Sequence, residues 1–217
     1  MKYSVLFAAL LATTQAQAFV IDNSASMNST IYNFGASDTA TYGEVFRTNG
    51  TDAYLNSFSM YLQNRYSGSG TLDLKGYIGA WDGSKVSSLL YSGNVQTMNA
   101  NGTLQAFTFA PGIQLATNTN YIAFLSVSEL AAQAESQFGM PGGNDGDAST
   151  MFVYMNNGTD FSALSSNAWS TWSTNDARLV ANFSASAPND VPEPMSLALL
   201  GLGLAGLAAS RKRKSAI

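Results

Sequence analysis

Alternation at period two constrains this chain more than any other feature. Over Thr71–Trp81, Leu72, Leu74, Ile78 and Ala80 fall on one side, and Thr71, Asp73, Lys75, Tyr77 and Trp81 fall on the other. That is the pattern of a strand with one face on a core and one toward water. Residues 55–62 repeat it, with Phe58, Met60 and Leu62 inward and Ser57, Ser59 and Tyr61 outward. Residues 121–127 are apolar at nearly every position, which predicts a central strand covered on both faces. Further strands are expected over residues 29–34, 42–48, 88–92, 104–110, 151–155 and 178–184. Asn49-Gly50, Asp82-Gly83, Asn101-Gly102 and Asn157-Gly158 supply the positive backbone angles that tight connections need. About nine such strands predict an all-β fold, an antiparallel, jelly-roll-like β-sandwich. Residues 128–137, with Ala and Glu at helical spacing, are expected to form a short helix or excursion, followed by a Gly-rich loop over 138–147.

The chain has 217 residues, enough for one domain once its two unusual ends are set aside. Residues 19–190 carry five basic side chains (Arg47, Arg65, Lys75, Lys85, Arg178) against thirteen acidic ones, a net charge of −8. Such a surface repels phosphate backbones and carries no basic stripe, so nucleic acid is not an expected partner. Cysteine and histidine are both absent. That removes Ser-His-Asp and Cys-His nucleophilic sites and the usual zinc ligands, and it closes much of enzyme space.

The ends carry the topology. Residues 1–18 combine Lys2, an apolar stretch through Ala12, and Ala16 and Ala18 on either side of Gln17. This is the pattern of a secretory signal peptide, with cleavage by signal peptidase expected after Ala18 and the mature chain beginning at Phe19. Residues 188–194 form a linker whose three prolines forbid regular helix. Residues 195–210 are predicted to form a short transmembrane helix, and residues 211–217 a basic tail headed by Arg211, Lys212, Arg213 and Lys214. A helix of that length rises roughly 24 Å against a hydrocarbon core of about 30 Å, so it inserts only with mismatch or snorkelling. The positive-inside rule puts the basic tail in the cytoplasm and the domain at 19–187 outside, in agreement with the signal peptide.

Pro192-Glu193-Pro194, a short apolar helix and a terminal Arg/Lys run resemble the PEP-CTERM sorting signal of Gram-negative bacteria. The resemblance implies that Pro192, Glu193 and Pro194 are the recognised motif and that Arg211, Lys212, Arg213 and Lys214 are the stop signal. It implies processing by an exosortase, anchoring in the inner membrane before that step, and a destination at the cell surface or in the extracellular matrix, in association with exopolysaccharide and biofilm. The stretches Tyr42-Gly43-Glu44-Val45-Phe46, residues 77–83 and residues 121–126 are also similar to the small extracellular sandwich modules that precede such tails.

Three groups of residues are candidates for chemistry. Asn144, Asp145 and Asp147, in a glycine-rich stretch, are hard oxygen donors of the kind calcium takes, although no later Glu completes an EF-hand. Calcium is the one cofactor the residues suggest. Trp81, Trp169 and Trp172 are candidate platforms for sugar rings, whose C–H faces stack on π-systems. By alternation Trp81 lies opposite the core-facing leucines, which favours exposure or burial under a loop, and Trp169 and Trp172 fall in a Ser/Thr/Asn-rich stretch that suggests a loop near a sheet edge. Scattered acids such as Glu44 and Asp73 could serve glycoside hydrolysis only if the fold set them at the required separation. The expectation is a non-enzymatic surface or matrix protein with a structural or adhesive role. A calcium-assisted carbohydrate-binding module is the alternative, and a glycoside hydrolase the more distant one.

Overall fold

The computed structural model describes residues 19–64, 70–131, 138–143, 149–172 and 175–187. The leader at 1–18, the metal candidates Asn144, Asp145 and Asp147, and everything from 188 onward, including the sorting motif and the 195–210 helix, lie outside the described residues. Among the described residues no helix is long and apolar enough to cross a membrane.

Fifteen strands are described. They are β1 (Phe19–Asp22), β2 (Met27–Phe34), β3 (Thr41–Arg47), β4 (Tyr54–Asn64), β5 (Thr71–Trp81), β6 (Val86–Ser92), β7 (Gln96–Asn99) and β8 (Gln105–Phe109). The chain continues through β9 (Ile113–Gln114), β10 (Asn120–Ser126), β11 (Phe138–Gly143), β12 (Met151–Met155), the one-turn helix α1 (Ala163–Ser166), β13 (Ser170–Trp172), β14 (Asp176–Ala177) and β15 (Leu179–Ser184).

Two antiparallel sheets pack face to face. One has eight strands in the order β1-β15-β4-β11-β14, with β2 on β11 and with β8 and β9 on β4. The other runs β13-β12-β3-β10-β5-β6, with β7 also on β5. Successive long strands cross between sheets, from β3 to β4, β4 to β5, β10 to β11 and β11 to β12. That is jelly-roll-like connectivity, and it makes a sandwich from strands whose inner faces must meet. Phe46, Phe58, Leu62, Leu72, Leu74, Phe138, Phe152 and Phe183 fill the space between the sheets. Leu55 and Phe58 both point inward although three residues apart, because a bulge opposite Asn182 and Phe183 takes up the extra residue.

All nine predicted strands are present, Thr71–Trp81 and Met151–Met155 with the expected bounds. One expectation is overturned: residues 138–143 are not the start of a loop but β11, buried throughout and hydrogen-bonded to β2 and β4. Its glycines serve close approach rather than turning. A Cβ on Gly139 would press on the Tyr32 ring and sit 2.7 Å from the Ile31 carbonyl oxygen, and one on Gly143 would collide with the Ser26 carbonyl. Of the short helix or excursion expected over 128–137, residues 128–131 form a turn and bend between strands, and 132–137 lie outside the described residues.

β5 departs from the expected half-burial. Its outward positions are open at Thr71 and Asp73 but closed at Tyr77, Gly79 and Trp81. A second apolar cluster lies there, on the outer face of the seven-stranded sheet. Val45, Tyr77, Trp81, Ile122, Phe124 and Val153 are covered by Phe161, Ala163, Leu164 and Trp169 from the segment around α1. Alternation reports which residues share a face, not whether a distant segment returns to cover it.

Candidate functional site

The second cluster fixes one end of the seven-stranded sheet, where four neighbouring strands bring their ends together. β3 ends at Arg47, β10 begins at Asn120, β5 ends at Trp81 and β12 begins at Met151. Each connection there is held by its own hydrogen bonds. The Asp82 carboxylate accepts the backbone N–H groups of Ser84 (2.8 Å) and Lys85 (2.9 Å). The Lys85 bond is the first cause that holds this carboxyl below its ordinary range, with Ser84 adding to it. The Thr48 hydroxyl donates to the Ala116 carbonyl (2.7 Å) and accepts the Thr119 N–H (3.0 Å). That pins the 116–119 turn to the end of β3 and sets Asn120 beside Arg47.

A cavity of about 410 Å³ opens between these ends, lined by Val45, Arg47, Trp81, Gly83, Asn120, Ser149, Thr150 and Met151. A second, of about 240 Å³, shares Arg47, Ser149 and Thr150 with the first and extends along Phe19 to Asn23. Arg47 is exposed, and its Nη1 donates to the Asn120 side-chain oxygen at 3.3 Å. Thr150 donates to the Asp176 carboxylate at 3.1 Å. In the second cavity Asp22 accepts the Ser24 N–H at 2.9 Å, and the Ser24 hydroxyl and N–H together hold its carboxyl below the usual range. The arrangement combines one guanidinium, an amide and two hydroxyls with an apolar wall of Val45, Trp81 and Met151. It can grip a small polar ligand.

The three tryptophans do not make a common platform. Trp81 is 8% exposed and Trp169 5%. Their rings meet edge to face, with centroids 5.9 Å apart and planes at 90°. Trp169 also stands on Phe124 (5.4 Å, 77°), and its indole N–H donates to the Leu164 carbonyl at 2.9 Å. The outward setting of Trp81 was legible from alternation, but α1 and Trp169 fold over it. Trp81 also lines the larger cavity. Trp172 is 51% exposed on the edge strand β13, away from that cavity's lining.

The carboxylates nominated as a pair are separated by the sheet itself. Glu44 lies between Tyr42 and Phe46 on the inner face of β3, fully buried, and accepts the Ala177 N–H at 2.7 Å. Asp73 lies on the outer face of β5, exposed, and accepts the Thr97 hydroxyl at 2.7 Å. Opposite faces of one sheet cannot flank one glycosidic bond. Among the described residues no group of three or more acids, His or Cys could hold a metal ion.

Sequence reasoning did not single out Arg47, Asn120, Ser149 or Thr150. Arg47 closes a clear strand pattern as the one cation of its strand in an acidic domain, and that was the available signal. Asn120, Ser149 and Thr150 are ordinary strand-end polar residues that only the fold brings together.

Residues 190–214 match the PEP-CTERM protein-sorting motif. The chain is therefore an exported protein sorted by an exosortase. No curated protein matches it. Among solved structures it is similar to a chain from the structure of infectious bursal disease virus Gt strain, at 16% identity and a TM-score of 0.22. That similarity covers 89% of this chain and 47% of the viral one, so this chain spans about half the viral chain's length.

Proposed function

We propose that this exosortase-sorted protein is a non-enzymatic component of the cell surface or extracellular matrix, whose β-sandwich adheres to exopolysaccharide. The observation that carries the reading is the PEP-CTERM motif at 190–214, behind a chain whose first 18 residues have the form of a secretory leader. The described sandwich occupies the intervening span and starts with Phe19 paired to Phe183. In this reading signal peptidase cuts after Ala18, the 195–210 helix holds the precursor in the inner membrane, and exosortase then acts at the Pro192-Glu193-Pro194 tail. Support for a binding rather than a catalytic role comes from the lack of His and Cys and from Glu44 and Asp73 lying on opposite faces of the sheet.

The test is fractionation of producing cells with and without exosortase, read by immunoblot and N-terminal sequencing. With the enzyme, a chain beginning at Phe19 and shortened at its C-terminus is expected in the polysaccharide fraction. Without it, a longer chain is expected in the membrane fraction. A processed chain found free in the culture fluid, with none held by polysaccharide, would overturn the adhesive part of the reading.

A further inference from the structure

Charge in this domain is mostly negative, yet the cavity at the strand ends is built around a cation. Among the described residues Arg47 makes no ion pair; the described ion pair joins Lys75 to Glu129 at 2.6 Å. Its hydrogen-bonding partner is the neutral Asn120 oxygen, at the long distance of 3.3 Å. A guanidinium has five N–H donors in a planar fork that matches a carboxylate, so most of that capacity is left to a ligand or to solvent. The carboxylate that lines the adjoining cavity, Asp22, is taken up by Ser24.

The remaining wall narrows the class of ligand. The Asn120 amide and the backbone at Gly83, with Ser149 and Thr150 in the same lining, make a polar wall suited to a ligand rich in hydroxyl groups. Trp81, Val45 and Met151 offer apolar surface to C–H faces. The volume of about 410 Å³ falls within the range of small-ligand pockets, roughly 300–1,000 Å³. A peptide carboxylate would also suit Arg47, but peptides gain affinity on sandwiches by adding a strand to a free edge. β12, β3, β10 and β5 are each paired on both sides, and the cavity opens at their ends.

We propose that the Arg47 cavity binds an acidic saccharide, its carboxylate on the Arg47 guanidinium and its ring against the Trp81 and Met151 wall. The proposal rests on the adhesive reading above and gives it a ligand class and a site.

The test titrates the protein, as recovered from producing cells, with oligogalacturonate and with the same oligomer after its carboxylates have been reduced to alcohols. The acidic oligomer is expected to bind about tenfold more tightly, the scale of one charge-assisted bidentate contact, with the advantage shrinking in high salt. Arg47→Gln is expected to bring it down to the neutral oligomer's affinity without moving the melting temperature, and Arg47→Lys to keep part of the difference. Equal binding of the two oligomers, or acid preference intact in Arg47→Gln, would overturn the proposal. So would an acidic peptide that binds as tightly as the oligogalacturonate. The two readings fail separately. A chain held in the polysaccharide fraction but without acid preference sinks this inference alone, and one that binds oligogalacturonate through Arg47 yet is absent from that fraction sinks the adhesive reading alone.

Discussion

The two sheets share one core but differ on their outer faces. On the eight-stranded sheet, β4 turns Ser57, Ser59, Tyr61 and Gln63 outward, half-buried, and its polar groups pair with neighbours: Ser59 with Thr108 at 2.7 Å, and Ser57 with Asn182 at 3.2 Å. On the seven-stranded sheet the corresponding face is closed by Phe161, Leu164 and Trp169 over Tyr77, Phe124 and Trp81. One face is a sheet surface in water, and the other is a second core one side chain thick. The difference teaches where a site can form. The open face offers short polar side chains, whereas on the covered sheet Trp81 joins the second core and also lines the cavity at the strand ends.

The strongest way to break this contrast is to remove the cover's central side chain. Trp169→Ala deletes the ring that packs on Phe124 and Trp81 and orphans the Leu164 carbonyl. It should cost about 3–5 kcal/mol, the usual range for truncating a buried Trp, read from the shift in denaturant midpoint at unchanged slope. Ser59→Ala, on the outer face of the other sheet, should fall within about 0.5 kcal/mol. Similar losses at both positions would mean that the cover contributes no more than an exposed hydroxyl pair.

The open face has one local cover of its own. Tyr32 lies over Gly139, which faces outward between the core residues Phe138 and Met140. Gly139→Ala meets the Tyr32 ring, which is 38% exposed. It also meets the Ile31 carbonyl oxygen at 2.7 Å, which is fixed in the backbone of the paired strand. A loss of about 1–3 kcal/mol is expected from this overpacking. A neutral result would show that the β2–β11 pairing tolerates a wider spacing than the structure holds.

These positions also show what the sequence reveals. Alternation in 71–81 and 55–62 was enough to place two central strands and the side that faces the core, because one buried face imposes period two on the residues themselves. β11 was hidden because Phe138-Gly139-Met140-Pro141-Gly142-Gly143 has turn composition. Its glycines are there because β2 presses close alongside, a cause that lies in Tyr32, Ile31 and Ser26 and not in the segment. The cover was hidden in the same way. Phe161, Leu164 and Trp169 are isolated apolar residues in a Ser/Asn-rich stretch, and their role depends on a face of β5 some 80 residues earlier. Of the site, Trp81 was legible as an outward residue, while Arg47, Asn120, Ser149 and Thr150 meet only through topology.

β5 itself crosses from open to covered, and Tyr77 marks the border. Its ring stacks on Phe124 with centroids 4.9 Å apart, and its hydroxyl donates to Glu129 at 2.8 Å beside Lys75. Burial, then the bond to Glu129, raises the Tyr77 pKa above its ordinary value of 10. Hydrogen bonds from Lys75 and then Tyr77 lower that of Glu129 from 4.5. The two groups therefore act in opposite pH windows. The Tyr77 contribution is complete below pH 10 and declines above it, where the unfolded phenol ionises first. The Glu129 contribution is present above its unfolded value and declines as pH falls below about 4.5 through the lowered folded value. Glu129 is 44% exposed, so its part is small and screened by salt. Tyr77→Phe should flatten the alkaline decline without abolishing it, since burial also raises Tyr42, and should weaken the acid-side dependence by removing one donor from Glu129. If unfolding midpoints from pH 3 to 11 run parallel in the wild type and Tyr77→Phe, the hydroxyl lies in water and the cover stops short of it, at Phe124.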